Sequence, residues 1–322
     1  MYKKILVTGG SGFIGSNFIR YFIKKHPGIT IINLDCLTYN RANDNLRAVE
    51  QNPSYQFVKG DICDVPLVNE WMNQVDAVIN FAAESHVDRS IVDSTPFVRS
   101  NILGTQVLLD AALKNHVQRF YQISTDEVFG SLGTKGYFTE KSTYNPQSPY
   151  SASKAAADHL VRAYHNTHKL PVLISNCSNN YGPYQYPEKV IPLFMTHLIR
   201  GKKVPLYGKG ENVRDWLHVS DHCEAIDLIL HKGKTGETYC IGGGCEIRNI
   251  DLTRLILSEM GFGEEMIEHV PDRKGHDLRY AIDFSKIKTE LGWQPRWSFG
   301  EGLRETVQWY LSNEAWWKNK VE

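Results

Sequence analysis

The chain has 322 residues, 42% hydrophobic and 22% charged, which suits one large two-lobed unit or two closely joined domains with a substantial core. Lys plus Arg and Asp plus Glu number 36 each, so no overall field draws the chain to nucleic acid or to an anionic membrane. A local basic pocket for a small phosphate ligand remains compatible with that balance. The six cysteines, Cys36, Cys63, Cys177, Cys223, Cys240 and Cys245, show no Cys-x-x-Cys spacing and read as buried free thiols in a reducing compartment. The apolar run Ile5-Leu6-Val7 is too short for a signal segment and no stretch approaches a membrane span, so a cytoplasmic location is expected.

In chain order, a short β-rich run covers Lys4 to Thr8. A glycine-rich turn follows, then an amphipathic helix pattern through Phe18, Tyr21 and Phe22. Further apolar runs at Ile29 to Asp35, Tyr55 to Val58, Val75 to Phe81 and Phe120 to Ser124 predict buried strands. Short strands separated by helices argue for an α/β fold with a doubly wound parallel sheet, because parallel strands need right-handed crossovers. After about residue 178 the texture changes: Asn180 to Pro187 is rich in Tyr, Pro and Gly, and the alternation becomes irregular. A smaller, mixed α/β second lobe is expected there.

The glycines of Thr8-Gly9-Gly10-Ser11-Gly12-Phe13-Ile14-Gly15 fall at 9, 12 and 15, between the first strand and the first helix. Glycine permits the tight turn and the approach of backbone N–H groups to a pyrophosphate, and the helix N-terminus adds positive potential. The alternative is an ordinary tight turn, but the strand-before, helix-after context points to dinucleotide binding. Asp35 ends the second strand. An acid there accepts hydrogen bonds from a ribose diol and repels a 2′-phosphate, which favours NAD over NADP, although Arg41 nearby weakens the preference. Asp61, after the third strand, is placed either to meet adenine or to cap its own loop. The cofactor domain is accordingly expected over residues 1–178, with the chain returning to it around 214–245, and residues 179–322 are expected to form mainly the substrate lobe.

Ser148-Pro149-Tyr150-Ser151-Ala152-Ser153-Lys154 reads as a helix start, with Ser148 as cap and Pro149 in the first turn. Tyr150 and Lys154 then share one helix face. A nearby ammonium is expected to lower the phenol's pKa and make Tyr150 a base for removing an alcohol proton while hydride leaves for NAD. Together with Thr125, these residues resemble the short-chain dehydrogenase/reductase superfamily, which uses a Ser/Thr, Tyr and Lys in this chain order. The length and added C-terminal lobe resemble its extended branch. The resemblance implies that Lys154 also holds the nicotinamide ribose.

In Ser124-Thr125-Asp126-Glu127-Val128-Phe129-Gly130, two carboxylates follow the Thr, where sugar-nucleotide epimerases of this branch typically carry small uncharged residues. Oxidation of a hexose at C4 acidifies the C5 proton, and a base and an acid can then expel the C6 hydroxyl as water. Adjacent carboxylates with opposite protonation states fit that elimination, and a pair that merely caps a short helix is the plainer alternative.

Longer segments decide the resemblance. Ala82-Ala83-Glu84-Ser85-His86-Val87-Asp88-Arg89-Ser90, Asn179-Asn180-Tyr181-Gly182-Pro183-Tyr184-Gln185, Pro187-Glu188-Lys189, Asn212-Val213-Arg214-Asp215-Trp216 and Asp272-Arg273-Lys274-Gly275-His276-Asp277 resemble the dTDP-glucose 4,6-dehydratase family over almost the whole chain. The resemblance implies that Thr125 bonds the sugar 4-hydroxyl, Asp126 is the acid toward C6 and Glu127 the base at C5. Ser85 and Asn179 would contact the hexose or its phosphates. Lys189, Val190, Pro205, Leu206 and Tyr207 would frame the nucleotide. Arg214 would pair with the diphosphate, and Asn249 and His276 would complete the pocket. Phe13, Ile14, Leu37, Thr38, Ile62, Ala82, Ala83, Ser100 and Asn180 are implied on the cofactor side. Arg214, His276 and Lys189 also admit structural or solvated roles, and Tyr181, Tyr184 and Tyr186 fit core as well as substrate.

The sequence departs from that family in three places. Phe129 replaces the usual Tyr, Tyr39-Asn40-Arg41 replaces a more usual Tyr-Ala-Gly near the adenosine ribose, and the link from Thr125 to Tyr150 is short. A UDP-glucose 4,6-dehydratase and a 4-epimerase are the competing enzymes, the second disfavoured by Asp126-Glu127. A non-catalytic redox sensor or RNA-binding protein on the same fold is opposed by the intact Tyr150, Lys154 and carboxylates. No metal is expected in the site. A homodimer is implied by the resemblance, through helices over Thr95 to Asn115 and Ser148 to His168.

Overall fold

A computed structural model describes residues 2–38, 43–273 and 275–321. Strand β1 (Lys4–Thr8) is buried at every position after Lys4, as a strand covered on both faces must be. Helix α1 (Phe13–Lys25) buries Phe18, Ile19, Phe22 and Ile23 and ends on Lys24 and Lys25, whose charge suits the negative end of the helix. Then come β2 (Thr30–Asp35), β3 (Tyr55–Lys59) and α2 (Val65–Met72), whose first turn is capped by the Asp64 carboxylate accepting from Leu67 N. Next are β4 (Ala77–Asn80), α3 (Val87–Val92) and the single turn α4 (Thr95–Phe97). A wide helical stretch, Val98–Gly104, runs on into α5 (Thr105–Lys114), and β5 (Arg119–Thr125), α6 (Pro149–His168) and β6 (Val172–Cys177) follow.

Beyond β6 the chain forms β7 (Asn179–Tyr181), α7 (Val190–Ile199), β8 (Val204–Tyr207) and β9 (Val213–His218). Helix α8 (Val219–Lys232) and strand β10 (Thr238–Ile241) then bring it back to the large sheet. The remainder comprises β11 (Glu246–Arg248), α9 (Asn249–Glu259), β12 (Ile267–Val270), α10 (Ser285–Leu291) and α11 (Phe299–Ser312).

The main sheet has seven parallel strands in the order β10-β6-β5-β4-β1-β2-β3. The pleat sends alternate residues to opposite faces. Ile5, Val7, Ile31, Ile79 and Tyr121 join α1 and α8 in one core, whereas Leu6, Ile32, Val78 and Phe120 join α5 and α6 in the other. This is the doubly wound α/β arrangement expected from the sequence. The strand order reverses between β1 and β4, which leaves a crevice at their carboxyl ends, where such sheets bind ligands.

Smaller sheets, β11-β9-β7 and β12-β8, flank a third core in which Ile191 and Phe194 of α7 meet Leu252 and Ile256 of α9 and Leu303 and Val307 of α11. The expected strands differ from the observed ones chiefly at their ends. The run Val75 to Phe81 is strand only over Ala77–Asn80, because the flanking residues turn into loops at each edge.

The thiols correct one expectation. All six cysteines are free, yet only Cys177, Cys223 and Cys240 are buried; Cys63 and Cys245 are half-buried and Cys36, just past β2, is exposed. Among the described residues no helix is long and apolar enough to cross a membrane.

Gly243, two residues beyond β10, lies against the backbone of β9. A Cβ there would sit 1.9 Å from the Trp216 carbonyl oxygen. Gly243→Ala should therefore cost about 1–3 kcal/mol through forced backbone displacement, read as a lower midpoint in urea unfolding; an unchanged midpoint would contradict this packing.

Candidate active site

The glycine turn sits at the crevice. Gly9 has φ +67° and a Cβ there would meet Ala82 N and Cα at 2.5 Å; at Gly15 it would meet the Gly9 carbonyl at 2.6 Å. The turn thus packs backbone on backbone, and no side chain caps the α1 N-terminus at Gly12, so its first-turn amides are available to an anion. Gly9, Gly12, Phe13, Ile14 and Gly15 line a cleft with Asp35, Thr38, Asp61 and Ile62 from the β2 and β3 ends. Ala82, Ala83, Ser85, Ser100 and Asn180 line its other side.

Leu37 is the one expected position that lines neither this cleft nor the one beside it. It takes a left-handed φ of 60° and its N–H donates to Asp35 Oδ1 at 2.8 Å, while Ser11 N donates to Oδ2 at 2.9 Å. Asp61 accepts from Cys63 N at 2.8 Å and pairs with Arg99 at 2.7 Å, so it clamps its own loop as well as lining the cleft. Tyr39, Asn40 and Arg41 lie outside the described residues, as does Lys274.

Helix α6 starts as its sequence suggests. Ser148 Oγ accepts from Ser151 N at 3.1 Å and Ser151 Oγ accepts from Ser148 N at 3.0 Å, with Pro149 in the first turn. This reciprocal cap fixes Tyr150 and, one turn on, Lys154. Both are buried in the cleft, beside Thr125, Asp126 and Glu127.

The expected acidification of the phenol is not what this geometry produces. Burial pushes the Tyr150 pKa well above its ordinary value, and the charges of Glu127, Cys177 and Asp126 add to this. The Lys154 ammonium donates to the Ile123 carbonyl at 2.7 Å, and burial lowers its own pKa, offset in part by Asp158. In this arrangement the ammonium is committed to a carbonyl and the neighbouring carboxylates oppose a phenolate.

The acids follow β5. Asp126–Phe129 form one tight helical turn whose cap is Thr125: its Oγ1 accepts from Glu127 N at 3.2 Å and donates to Asp126 Oδ1 at 3.2 Å. Capping therefore falls to Thr125, and the two carboxylates are left facing inward. Asp126 is 2% exposed. Burial, then the charges of Glu127 and Asp215, hold its pKa well above the carboxylate range. Burial also raises Glu127, but the cations Lys189 and Arg214 pull it back. Neighbouring charges thus add to the rise at Asp126 and oppose the rise at Glu127, which separates the two carboxyls.

Supporting residues carried no obvious sequence signal. Asp158 Oδ2 accepts from Ser124 Oγ at 2.8 Å, Tyr144 Oη at 2.8 Å and Asn176 Nδ2 at 3.2 Å, and Asn176 Nδ2 also donates to the Thr125 carbonyl at 3.0 Å. The four-residue step from Lys154 to Asp158 was the available clue. Asn101, in the wide helical stretch, accepts from Glu84 N at 2.9 Å and donates to Glu84 O at 3.0 Å, which braces the Ala82–Ser85 segment. His222 bonds Asn180 Oδ1 at 2.9 Å from a fully buried position.

A second cleft adjoins the first, and Glu127, Asn179, Glu188 and Lys189 line both. Val190, Pro205, Leu206, Tyr207, Arg214, Asn249 and His276 line the second. Lys189 Nζ donates to Ser85 O at 2.9 Å. The Arg214 guanidinium lies 4.3 Å over the Tyr280 ring and donates to the carbonyls of Val213 and Asp277. His276 Nδ1 lies 2.7 Å from Asp272 Oδ1. Arg273 and Tyr280 were missed as lining residues; Arg273 pairs with Asp88 at 2.6 Å, joining two of the sequence motifs across the cleft. Phe129 faces neither cleft and stacks on Phe138 at 5.0 Å. Tyr181 is core, whereas Tyr184 and Tyr186 line the first cleft.

Fold and site together define an enzyme of the extended short-chain dehydrogenase/reductase class. More narrowly, the chain belongs to the GDP-mannose 4,6 dehydratase family, whose family model matches residues 6–306. It is 52% identical over 319 residues to a dTDP-glucose 4,6-dehydratase of Streptomyces niveus, spanning 98% of this chain and 95% of that one. It is 51% identical to the low-salt glycan biosynthesis protein Agl12 of Haloferax volcanii, spanning 96% and 99%. Among solved structures it matches DesIV, the dTDP-glucose 4,6-dehydratase of Streptomyces venezuelae with NAD and dTDP bound. The TM-score is 0.96 at 50% identity, over 98% of this chain and 99% of that one.

Because the Gly15 methyl would collide with backbone rather than with a mobile side chain, Gly15→Ala should weaken dinucleotide affinity by at least about tenfold, near 1.4 kcal/mol. Equilibrium titration of intrinsic fluorescence checks this, and wild-type affinity would contradict the cradle.

Proposed function

We propose that this chain is an NAD-dependent dTDP-glucose 4,6-dehydratase, which converts dTDP-glucose to dTDP-4-keto-6-deoxyglucose. The observation that carries the proposal is the pair Asp126 and Glu127, the first buried in the cofactor cleft and the second half-buried where the two clefts meet, with Asp126 raised well above the carboxylate range and the rise at Glu127 opposed by Lys189 and Arg214. Names of relatives at about 50% identity over nearly the whole chain support the same reading.

The first cleft fits NAD. The turn packs so closely on its own backbone and on Ala82 that a Cβ at Gly9 or Gly15 would displace it, the uncapped α1 terminus suits a pyrophosphate, and the Asp35 carboxylate suits a ribose diol. When bound, NAD supplies acceptance of hydride from C4 and its return to C6. In this reading Thr125 and Tyr150 hold the 4-hydroxyl, and Tyr150 takes its proton. Bound substrate and the nicotinamide ribose give Lys154 a partner other than the Ile123 carbonyl, and its charge then offsets the burial that raises the phenol. Once C4 is a ketone, Glu127 removes the acidified C5 proton. Protonated Asp126 gives its proton to the C6 hydroxyl, which leaves as water, and Glu127 returns its proton to C5 when C6 has regained hydride. Arg214 and Lys189 neutralise the diphosphate, with Arg214 held rigid against Tyr280.

Residues 1–178 together with the return around 214–245 serve as the cofactor domain in this proposal, and 179–322 mainly as the substrate lobe. The assembly is a cytoplasmic homodimer built on the segments Thr95 to Asn115 and Ser148 to His168. Exposed Val98 and Leu103 within the first segment, and Val92 just before it, support that face.

Incubation with dTDP-glucose should give the 4-keto-6-deoxy product without stoichiometric added NAD, and faster than UDP-glucose; a 4-epimer as product would overturn the proposal. The double variant Asp126→Asn with Glu127→Gln should lose about 100-fold or more of product formation while still oxidising C4, seen as NADH absorbance. Full product from it would refute the roles. The pH dependence has a definite sign. Glu127 must be ionised, so the rate rises as pH climbs through its raised pKa, and Asp126 must be protonated, so the rate falls above its higher one. Asp126→Asn should abolish the alkaline limb in a pH–rate profile of the elimination step.

A further inference from the structure

We propose that the paired C-terminal ends of α1 and α8 form a divalent transition-metal site of the zinc type, built from His26, Asp227 and His231. It lies at the far end of α1 from the glycine turn, roughly 20 Å away by helix rise, and is separate from the reaction described above.

His26 Nε2 and His231 Nδ1 converge on a single oxygen, Asp227 Oδ1, at 2.9 and 3.0 Å, His231 Nδ1 lying also 2.9 Å from the Asp227 carbonyl that a metal would replace as its partner, and one ligand atom from each residue lies within 4.8 Å of the others. Tetrahedral zinc with bonds of about 2.0–2.1 Å spaces its ligand atoms about 3.3 Å apart, so small shifts of three side chains complete one face of the shell. Asp227 and His231 are four apart on one helix, a spacing that presents two ligands on one face. The carboxylate side chain is 5% exposed while the imidazoles are 23% and 29% exposed. The floor is therefore buried and the entry open.

The charges favour the same reading. The Asp227 pKa is held down to about 2, with His231 and Lys25 as the favourable partners, so the carboxylate is ionised across the ordinary pH range. Lys25 Nζ occupies the other carboxylate oxygen, Oδ2, at 2.8 Å, which leaves Oδ1 to the two imidazoles. Those rings stack with centroids 5.0 Å apart, and two imidazolium ions so placed beside an ammonium would repel one another. A metal ion replaces their protons with one shared charge. The groups facing the cluster are Lys25 and Tyr21 on α1, Glu224 on α8, and the Tyr2 ring 5.8 Å from His231.

The test uses the full chain, stripped with a chelator and titrated with zinc against a chromogenic chelator. Expected are one zinc per chain, a rise in thermal midpoint on saturation, and cobalt(II) spectra of nitrogen and oxygen ligation without thiolate bands. His231→Ala and His26→Ala should each weaken binding by at least about tenfold. Lys25→Met, which takes the ammonium off Oδ2 and leaves only the Tyr21 hydroxyl there at 3.3 Å, should strengthen it. Absence of stoichiometric zinc, wild-type affinity in either histidine variant, or cobalt–thiolate bands from the exposed Cys36 would each overturn the site and leave His26, Asp227, His231 and Lys25 as an ion-pair cluster only.

Discussion

The placement of two carboxyls, adjacent in sequence, one buried and the other half-buried in the cleft, constrains the rest of the molecule. Bringing an ionised carboxylate out of water costs several kcal/mol unless cations or hydrogen bonds compensate. The chain compensates one of the two. Lys189 and Arg214, from the start of α7 and from β9, favour ionised Glu127, while burial and then the charges of Glu127 and Asp215 raise Asp126. The smaller sheets and their helices therefore complete the chemistry that the large sheet begins, because without their cations Glu127 would lack compensation.

A single hydroxyl sets the geometry of that pair. Thr125 Oγ1 takes the Glu127 N–H, which tightens the turn after β5 and spares both carboxyls from capping. Behind it, Asp158 and Asn176 hold Ser124 Oγ and the Thr125 carbonyl, all buried. The turn is fixed from two sides, by the helix carrying Tyr150 and Lys154 and by the neighbouring strand β6. Residues that act together in the proposed reaction are thereby tied to one small hydrogen-bonded group.

Much of this was legible in the sequence, for identifiable reasons. Strands covered on both faces read as apolar runs, so β1 to β5 were located with errors only at their ends, and Ser148-Pro149 marked the start of α6 by local capping alone. The glycine spacing carried its meaning because its neighbours are backbone atoms, which no substitution can avoid. Contacts distant in sequence were opaque: nothing local ties Asp88 to Arg273, Asp158 to Asn176, or His222 to Asn180. The expected lowering of the Tyr150 pKa failed for a related reason. Spacing places Lys154 on the same face as the phenol, but it cannot reveal that the Ile123 carbonyl claims the ammonium or that two acids stand opposite.

The return of the chain to its first sheet bears on how the protein is made. Strand β10 pairs with β6 only after α7, β8, β9 and α8 have been laid down. During synthesis, β6 is consequently the open margin of a six-stranded sheet while some sixty residues emerge, and its row of unpaired amides and carbonyls could recruit another nascent chain. Closure by β10 both seats the Gly242–Gly244 loop against β9 and removes that margin. Completion of the large sheet is thus interlocked with the smaller ones, since β7, β8 and β9 leave the ribosome before its last strand does.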